Sequence, residues 1–235
     1  MTGSTPMRHT VRGTTRAIAL GAAAQGRYVA LVLQKKGAPD PRGLVAAVRS
    51  RAEESGKAEC IVADIADPAL TELFAVLKLD VGTMPTPAAL MLSTNCIITG
   101  AFTMPPTKER FAEALLPAQP LAVLSALRDG KKVIVTAQSP TTKGNAETDK
   151  GIEEHLAGIT NRASFAAVKI ALDNADNAPF LRQLKIDPQK ETQSVTIIMA
   201  PPMSIATTPI RGAATKALVA KAMSACAAGA CGPAG

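Results

Sequence analysis

Apolar residues along the chain follow two patterns, and the two patterns alternate. Short uninterrupted apolar runs rich in Val, Ile and Leu are typical of strands in a sheet that is covered on both faces. Between them lie segments whose apolar residues recur every three or four positions, which predicts helices. In the first half the predicted elements are a helix at 14–25, a strand at 28–34, a helix at 43–55, a strand at 59–64, a helix that begins at Asp67 and Pro68, strands at 88–93 and 97–102, and a closing helix. In the second half they are a helix at 119–129, a strand at 132–138, a helix at 149–157, a strand at 165–172, a helix around Pro179, strands at 195–199 and 205–208, and a closing helix.

The second half of the chain repeats the first. Three blocks of residues match, at offsets of 104 (Gln34 to Gln138), 107 (Asp80 to Asp187) and 108 (Thr107 to Thr215). A nearly constant offset predicts the duplication of one domain of about 100 residues. The predicted organisation is a basic leader at 1–13, domains at 14–117 and 118–224, and a cysteine-containing tail at 225–235.

Composition adds a constraint on the core and one on partners. Hydrophobic residues make up 47% of the chain and aromatic residues only 3%, so the core must be built from Ala, Val, Ile and Leu. The net charge of +7 falls to +3 without the four arginines that precede the first acidic residue, namely Arg8, Arg12, Arg16 and Arg27. This basic segment could touch nucleic acid or anionic lipid, but a solvated leader is the plainer interpretation. Since aromatic residues for base stacking are scarce, we expect no nucleic-acid partner.

The chain carries no predicted membrane span, because no apolar run approaches the roughly 18 residues that cross a bilayer. Residues 17–24 follow arginines and resemble a short secretory signal. The matching stretch at 121–130 lies in mid-chain, however, where it must be a structural helix. We therefore expect a cytoplasmic protein, with export through the N-terminal segment as the alternative.

The element order βαβαββα, with a leading helix and a closing antiparallel hairpin, resembles the thioredoxin fold. The segment 81–86 (VGTMPT), before the strand at Ala88, is similar to the family segment in which a proline opens the third main strand. The resemblance implies two tandem thioredoxin-like α/β domains, each with a central mixed sheet flanked by helices. It also implies a cis peptide bond at Met84–Pro85. The corresponding second-half segment, 190–194, contains no proline.

The chain lacks the cysteines that perform the thiol chemistry most typical of that family at the expected position. Redox-active members carry a Cys-x-x-Cys pair after the first main strand, where the amides of the following helix lower the pKa of the attacking thiol. The corresponding stretches are 35–43 and 139–145, and neither contains a cysteine. We therefore expect no thiol chemistry at this position.

The four cysteines lie elsewhere in the chain. Cys60 falls in a predicted apolar strand and is interpreted as a buried small hydrophobic residue. Cys96 follows Asn95 at the predicted tip of a hairpin, where the central positions favour a positive φ. Cys226 and Cys231 flank four small residues in a flexible tail and could close a disulfide or hold a soft metal ion. An incidental pair is the alternative.

Other polar residues suggest structural roles. His155 lies beside acidic residues on a predicted helix and is interpreted as part of a solvated face. Asp64 and Asp173 end equivalent strands and are interpreted as caps of the adjacent turns. Neither a Ser–His–Asp set nor a nucleotide-binding glycine motif can be assembled, and no cofactor is expected.

These observations favour a non-catalytic protein that binds a peptide or protein, or serves as an assembly module. In the thioredoxin fold, the surface beside the cis-proline can pair with an extended peptide through strand-type hydrogen bonds. Met84 would supply an adaptable apolar contact. The predicted binding residues are Ala38, Pro39, Val81, Thr83, Met84, Pro85 and Thr86. The alternatives are a thiol–disulfide or soft-metal shuttle that uses Cys226 and Cys231, and a structural module whose two domains pack face to face.

Overall fold

The computed structural model describes residues 26–201, 204–205 and 208–227. The chain divides into two compact units, residues 1–115 and 116–235, which we call the first and the second domain. The helix predicted at 14–25 lies outside the described residues. In the described part of the chain, no helix is long and apolar enough to cross a membrane.

The first domain contains a four-stranded mixed sheet. Its elements are β1 (Tyr28–Gln34), α1 (Arg42–Ser55), β2 (Ala58–Asp64), a 3₁₀ turn (Pro68–Leu70), α2 (Thr71–Leu77), β3 (Ala88–Leu92), β4 (Ile98–Phe102) and α3 (Lys108–Glu113). The strands lie in the order β2-β1-β3-β4. β1 is parallel to β2 and antiparallel to β3, and β4 runs antiparallel to β3.

The second domain repeats this arrangement. Its elements are α4 (Ala118–Arg128), β5 (Lys132–Gln138), α5 (Asn145–Ala157), a 3₁₀ turn (Arg162–Ser164), β6 (Phe165–Ala171), a second 3₁₀ turn (Ala175–Asn177), α6 (Ala178–Gln183), β7 (Val195–Ala200), β8 (Ser204–Ile205), β9 (Ile210–Arg211) and α7 (Lys216–Ala227). β5 is parallel to β6 and antiparallel to β7, and both short strands β8 and β9 pair with β7. Two mixed sheets flanked by helices confirm the predicted fold class.

One helix begins earlier than its apolar residues indicate. α5 starts at Asn145, whereas the sequence predicted a start at 149. The reason is that its first fully buried side chain is polar: Thr148 lies one turn before Ile152 and two turns before Leu156. A pattern search for apolar residues therefore misses the first turn.

The core of the first domain lies on both faces of β1. On one face Val29, Leu31 and Leu33 pack against the 3₁₀ turn and α2. The buried stripe of α1 consists of Leu44, Val48 and Ala52, spaced four residues apart as one face of a helix requires. In the second domain a cluster between the sheet and the helices α5 and α7 includes Ile134, Ile152, Leu156, Ile198, Val219 and Met223.

The same helix ending occurs in both domains, although neither copy has a glycine there. Lys78 follows α2 with φ of 54°, and Lys185 lies just beyond α6 with φ of 59°. In the first domain the amide of Lys78 donates to the Ala75 carbonyl and that of Leu79 to the Phe74 carbonyl, which is the Schellman pattern. The amides of Lys185 and Ile186 make the equivalent bonds in the second domain. The two domains thus share a conformation that costs a residue with a side chain about 1 to 2 kcal/mol.

The cis peptide bond does not lie where the sequence placed it. The bond is Thr86–Pro87, and Met84–Pro85 is not cis. Two prolines lie two positions apart, and the resemblance was drawn to the earlier one. β3 begins at Ala88, so the proline that directly precedes the strand is Pro87.

Candidate functional site

Three segments of the first domain meet at one end of its sheet. Leu33 pairs with Ala88 on adjacent strands, so the chain after β1 and the chain before β3 leave the sheet side by side. Ala89 pairs with Phe102, which brings the chain after β4 to the same end. We call residues 35–41, 81–87 and 103–106 the first sheet end.

The predicted binding residues lie at this end but differ in exposure. Pro39, Thr83 and Pro85 are exposed, whereas Ala38, Val81 and Thr86 are half-buried. In the described residues, no hydrogen bond joins 35–41 to 81–87; the amide of Ala38 bonds within its own turn, to the Lys35 carbonyl at 3.0 Å.

Met84 also contacts the core of the domain. Its side chain is half-buried and packs, together with Leu77, Leu79 and Val81, against the core cluster around Phe74. A side chain held by the core cannot adapt freely to a ligand. Met84 therefore supports the turn more than it contacts a partner.

In the second domain the corresponding loop is fastened to the strand beside it. The amide of Lys143 donates to the Thr192 carbonyl at 3.0 Å, and the amide of Ser194 donates to the Lys143 carbonyl at 2.9 Å. These two bonds form a parallel β-bridge between Lys143 and Gln193, which we call the Lys143 bridge. The loop thereby pairs with the backbone just before β7.

Buried hydroxyls secure this closed end from beneath. The Thr148 hydroxyl accepts a hydrogen bond from the Ala214 amide at 3.0 Å and donates to the Gly212 carbonyl at 3.1 Å. The Ser194 hydroxyl lies 3.0 Å from that of Thr148 and donates to the Gly212 carbonyl at 2.8 Å. Both side chains are fully buried. This network holds the loop, α5 and the chain after β9 together.

The two halves can be matched position by position at this end. Gln34 and Leu44 lie ten residues apart, as do Gln138 and Thr148, so Lys143 corresponds to Pro39. The strand pairs Leu33–Ala88 and Ala137–Val195 are equivalent, so Ser194 corresponds to Pro87. Thr107 and Thr215 each precede a closing helix, so Ala214 corresponds to Pro106.

Each of the three amides that close the second domain is therefore replaced by a proline in the first. Proline has no N–H group. Pro39, Pro87 and Pro106 cannot make the bonds that Lys143, Ser194 and Ala214 make, and Leu44 stands where the second domain has the Thr148 hydroxyl. In the described residues, the carbonyls of Pro39 and Pro85 receive no hydrogen bond. The first sheet end therefore lacks these hydrogen bonds because its prolines have no N–H group to donate.

An exposed methionine lies at this open end and was missed by the sequence analysis. The side chain of Met104 is 74% exposed, more than any other large hydrophobic residue in the described part of the chain. It corresponds to Gly212, the acceptor of the buried hydroxyls. Matching the two halves residue by residue, with attention to N–H donors, would have identified both the prolines and this side chain.

The loop after β1 carries two exposed lysines and one carboxylate. Lys35 and Lys36 are exposed directly after β1. The Asp40 carboxylate accepts hydrogen bonds from the Arg42 amide and guanidinium, and these bonds hold the pKa of Asp40 below its usual value. Because Arg42 compensates the one carboxylate of the loop, the two lysines determine its charge.

Neither of the two cysteines whose side chains the structure describes lies at this end. Cys60 is half-buried, and burial raises the pKa of its thiol. Cys96 has φ of 53° at a hairpin tip, as the sequence predicted for a turn. Cys226 belongs to α7, but its side chain and the whole of Cys231 lie outside the described residues, so the shuttle hypothesis stays a prediction. Among the described residues, no group of three or more His, Cys, Asp or Glu could hold a metal ion.

Two further interpretations can be compared with the structure. The Asp64 carboxylate accepts the amide of Ala66 at 2.9 Å, which confirms its role in the adjacent turn. His155 is not on a fully solvated face: it is half-buried, and its Nε2 is enclosed without a hydrogen-bond partner in the described residues. Partial burial, with Lys216 nearby, lowers the pKa of His155.

Comparison with known proteins gives a distant likeness in fold. No family model matches the chain, and no curated protein matches it. The first two thioredoxin domains of Naumovozyma dairenensis Eps1p share 9% identity, with 88% of this chain and 92% of that chain covered and a TM-score of 0.31. Those of Saccharomyces cerevisiae Eps1p share 12%, with 88% and 94% covered and a TM-score of 0.33. The NTD_N/C domain of alkylhydroperoxide reductase AhpF from Enterococcus faecalis shares 13%, with 89% and 98% covered and a TM-score of 0.30. At these values the likeness carries no argument about function.

Proposed function

We propose that the first domain is a non-catalytic binding module that takes an extended segment of a partner protein at its sheet end. One observation supports this proposal above all: Pro39, Pro87 and Pro106 replace the three amides that close the same end of the second domain. The loops after β1 and β5 also lack the cysteines needed for thiol chemistry.

The unpaired backbone groups define how the segment binds. The carbonyls of Pro39 and Pro85 are acceptors, so the bound segment must supply N–H donors. An extended peptide does this along its whole length, as in strand addition. The Lys143 bridge, a strand-like pairing at the equivalent place, supports this geometry.

Two side-chain features add selectivity. Met104 offers a flexible, polarisable apolar contact beside the backbone groups. Lys35 and Lys36 favour a segment with acidic residues through charge complementarity. The preferred ligand is therefore an extended segment that combines an apolar anchor with acidic flanks.

The test selects peptides on the full-length protein by phage display and measures their affinity by fluorescence anisotropy. Met104→Glu should lower the affinity for the selected peptides at least tenfold. Val76→Glu is the matched control, because Val76 is 59% exposed in the same domain but lies on α2. A peptide N-methylated at alternate amides should also bind at least tenfold more weakly, since its donors are removed.

Three results would contradict the proposal. The selection could yield no peptide that binds; the two glutamate variants could bind equally well; or N-methylation could leave the affinity unchanged. The last result would exclude strand-type pairing even if an apolar contact at Met104 were real.

A further inference from the structure

A groove in the second domain lies on a different part of the fold from the first sheet end. It runs between α5 and the edge strand β6 and has a volume of about 560 Å³. Ile152, Leu156 and Ile159 form its apolar wall, and Ala167 on β6 leaves room on the opposite side. This volume falls in the usual range for small-molecule sites, roughly 300 to 1,000 Å³.

Two threonines lie side by side on neighbouring strands beneath the groove. Thr136 lines the groove and is 3% exposed, and its hydroxyl makes no hydrogen bond within the described residues. Thr196 pairs directly with Thr136 on the adjacent strand, is fully buried, and its hydroxyl has no partner in the described part of the chain. Most buried polar groups are hydrogen-bonded, and the Thr136 hydroxyl, which borders the groove, is free to donate to a bound molecule. A ligand with a polar group at this depth would satisfy Thr136.

The charges of the groove compensate each other. The Asp149 carboxylate forms an ion pair with the Lys169 ammonium at 2.7 Å and accepts the Gln138 amide at 3.2 Å. Glu153 and Arg162 lie exposed on the rim, one of each sign. A charged ligand would therefore gain little binding free energy inside the groove, because the Asp149 carboxylate there is already paired with Lys169.

The corresponding residues of the first domain have a different character. By strand register, Thr136 and Lys169 correspond to Val32 and Val62. Ala167 corresponds to Cys60, which is larger. The Thr136 hydroxyl, the Asp149–Lys169 ion pair and the space beside Ala167 thus have no counterpart at the matching strand positions of the first domain.

We propose that this groove binds a small, uncharged, amphipathic molecule. Its apolar body lies against Ile152, Leu156 and Ile159, and its polar group accepts a hydrogen bond from the Thr136 hydroxyl. The site is independent of peptide binding by the first domain.

The test uses Nile red, an uncharged dye with an apolar ring system and a carbonyl acceptor, titrated into the full-length protein and followed by fluorescence. We expect one saturable site. Ala167→Leu fills the groove and should abolish binding, whereas Ala167→Ser preserves its space and should not. Cys60→Leu is the matched control at the equivalent position of the first domain and should leave binding unchanged. Thr136→Val should weaken binding about three- to tenfold, the effect of one neutral hydrogen bond.

Several outcomes would overturn the proposal. The dye could fail to bind, or the two leucine variants could behave alike, which would place any bound dye elsewhere. Equal affinity for wild type and Thr136→Val would show that the hydroxyl makes no contact with the ligand. Circular dichroism of each variant verifies that the fold is retained.

Discussion

The Thr148 hydroxyl gives the sharpest test of how the second sheet end is closed. Thr148→Val keeps the shape of the side chain and removes its oxygen. The Gly212 carbonyl keeps its bond from Ser194, at 2.8 Å, so only the buried Ala214 amide loses its partner. An unsatisfied buried donor costs about 1 to 3 kcal/mol. The added methyl group returns at most about 0.8 kcal/mol.

We therefore expect Thr148→Val to destabilise the second domain by about 2 kcal/mol, mainly because the buried Ala214 amide loses its acceptor. The direct readout is hydrogen exchange at the Ala214 amide, which should accelerate about 30-fold, the equivalent of 2 kcal/mol. Urea unfolding followed by circular dichroism gives the free energy of unfolding of the same variant.

Thr148→Ser is the control, because it retains the oxygen and loses only a methyl group, which costs about 1 kcal/mol. The Ala214 amide should remain protected in this variant. If Thr148→Val left that amide as slow to exchange as in wild type, or if Thr148→Ser exposed it equally, the hydroxyl would not be what holds the chain after β9.

Three other predictions follow from single features of the structure. Burial raises the pKa of Tyr28 to about 12, so the folded state keeps its proton while the unfolded state loses it above its ordinary pKa of 10.0. The contribution of Tyr28 to the free energy of unfolding should therefore be constant below pH 10.0 and fall between the two pKa values. Absorbance at 295 nm isolates this titration, because Tyr28 is the only tyrosine and the chain has no Trp. Lys78→Gly and Lys185→Gly should each raise the free energy of unfolding by about 0.5 to 1 kcal/mol, since glycine adopts their positive φ without strain but loses more entropy on folding; a loss of stability in urea titration would contradict this. Gly151→Ala should cost about 3 kcal/mol, because a Cβ there would lie 2.8 Å from the Thr215 Cα and also meet the Ala214 carbonyl, whereas Gly158→Ala should be nearly neutral in the same assay.

The fold was predictable from the sequence because its signals are local and occur twice. Apolar runs identified the main strands, and the repeat aligned one half of the chain with the other. The first turn of α5 was not predictable by the same means, since Thr148 is a buried polar residue whose role depends on partners 46 and 66 residues away. Long-range hydrogen bonds of this kind produce no periodic pattern in the sequence.

One premise of the candidate site was wrong, and the binding role of its residues stays a prediction. Ala38, Pro39, Pro85 and Thr86 lie at one sheet end, but the cis bond is at Thr86–Pro87 and Met84 packs partly against the core. Neither feature can be read from a single segment, because the start of β3 and the packing of Met84 are tertiary properties. Met104 could have been found, since it stands opposite Gly212 when the halves are compared.

The prolines explain why two copies of one scaffold can differ at the same place. A closed end requires amides at three positions from three separate segments, and the second domain has all three. Changing any one to proline removes one bond, but the bound segments would still be held by the other two. The first domain has proline at all three positions and leucine in place of the central hydroxyl. Such a combination removes the three amides and the hydroxyl that close the second domain, so within the described residues the carbonyls of Pro39 and Pro85 have no counterpart of those bonds.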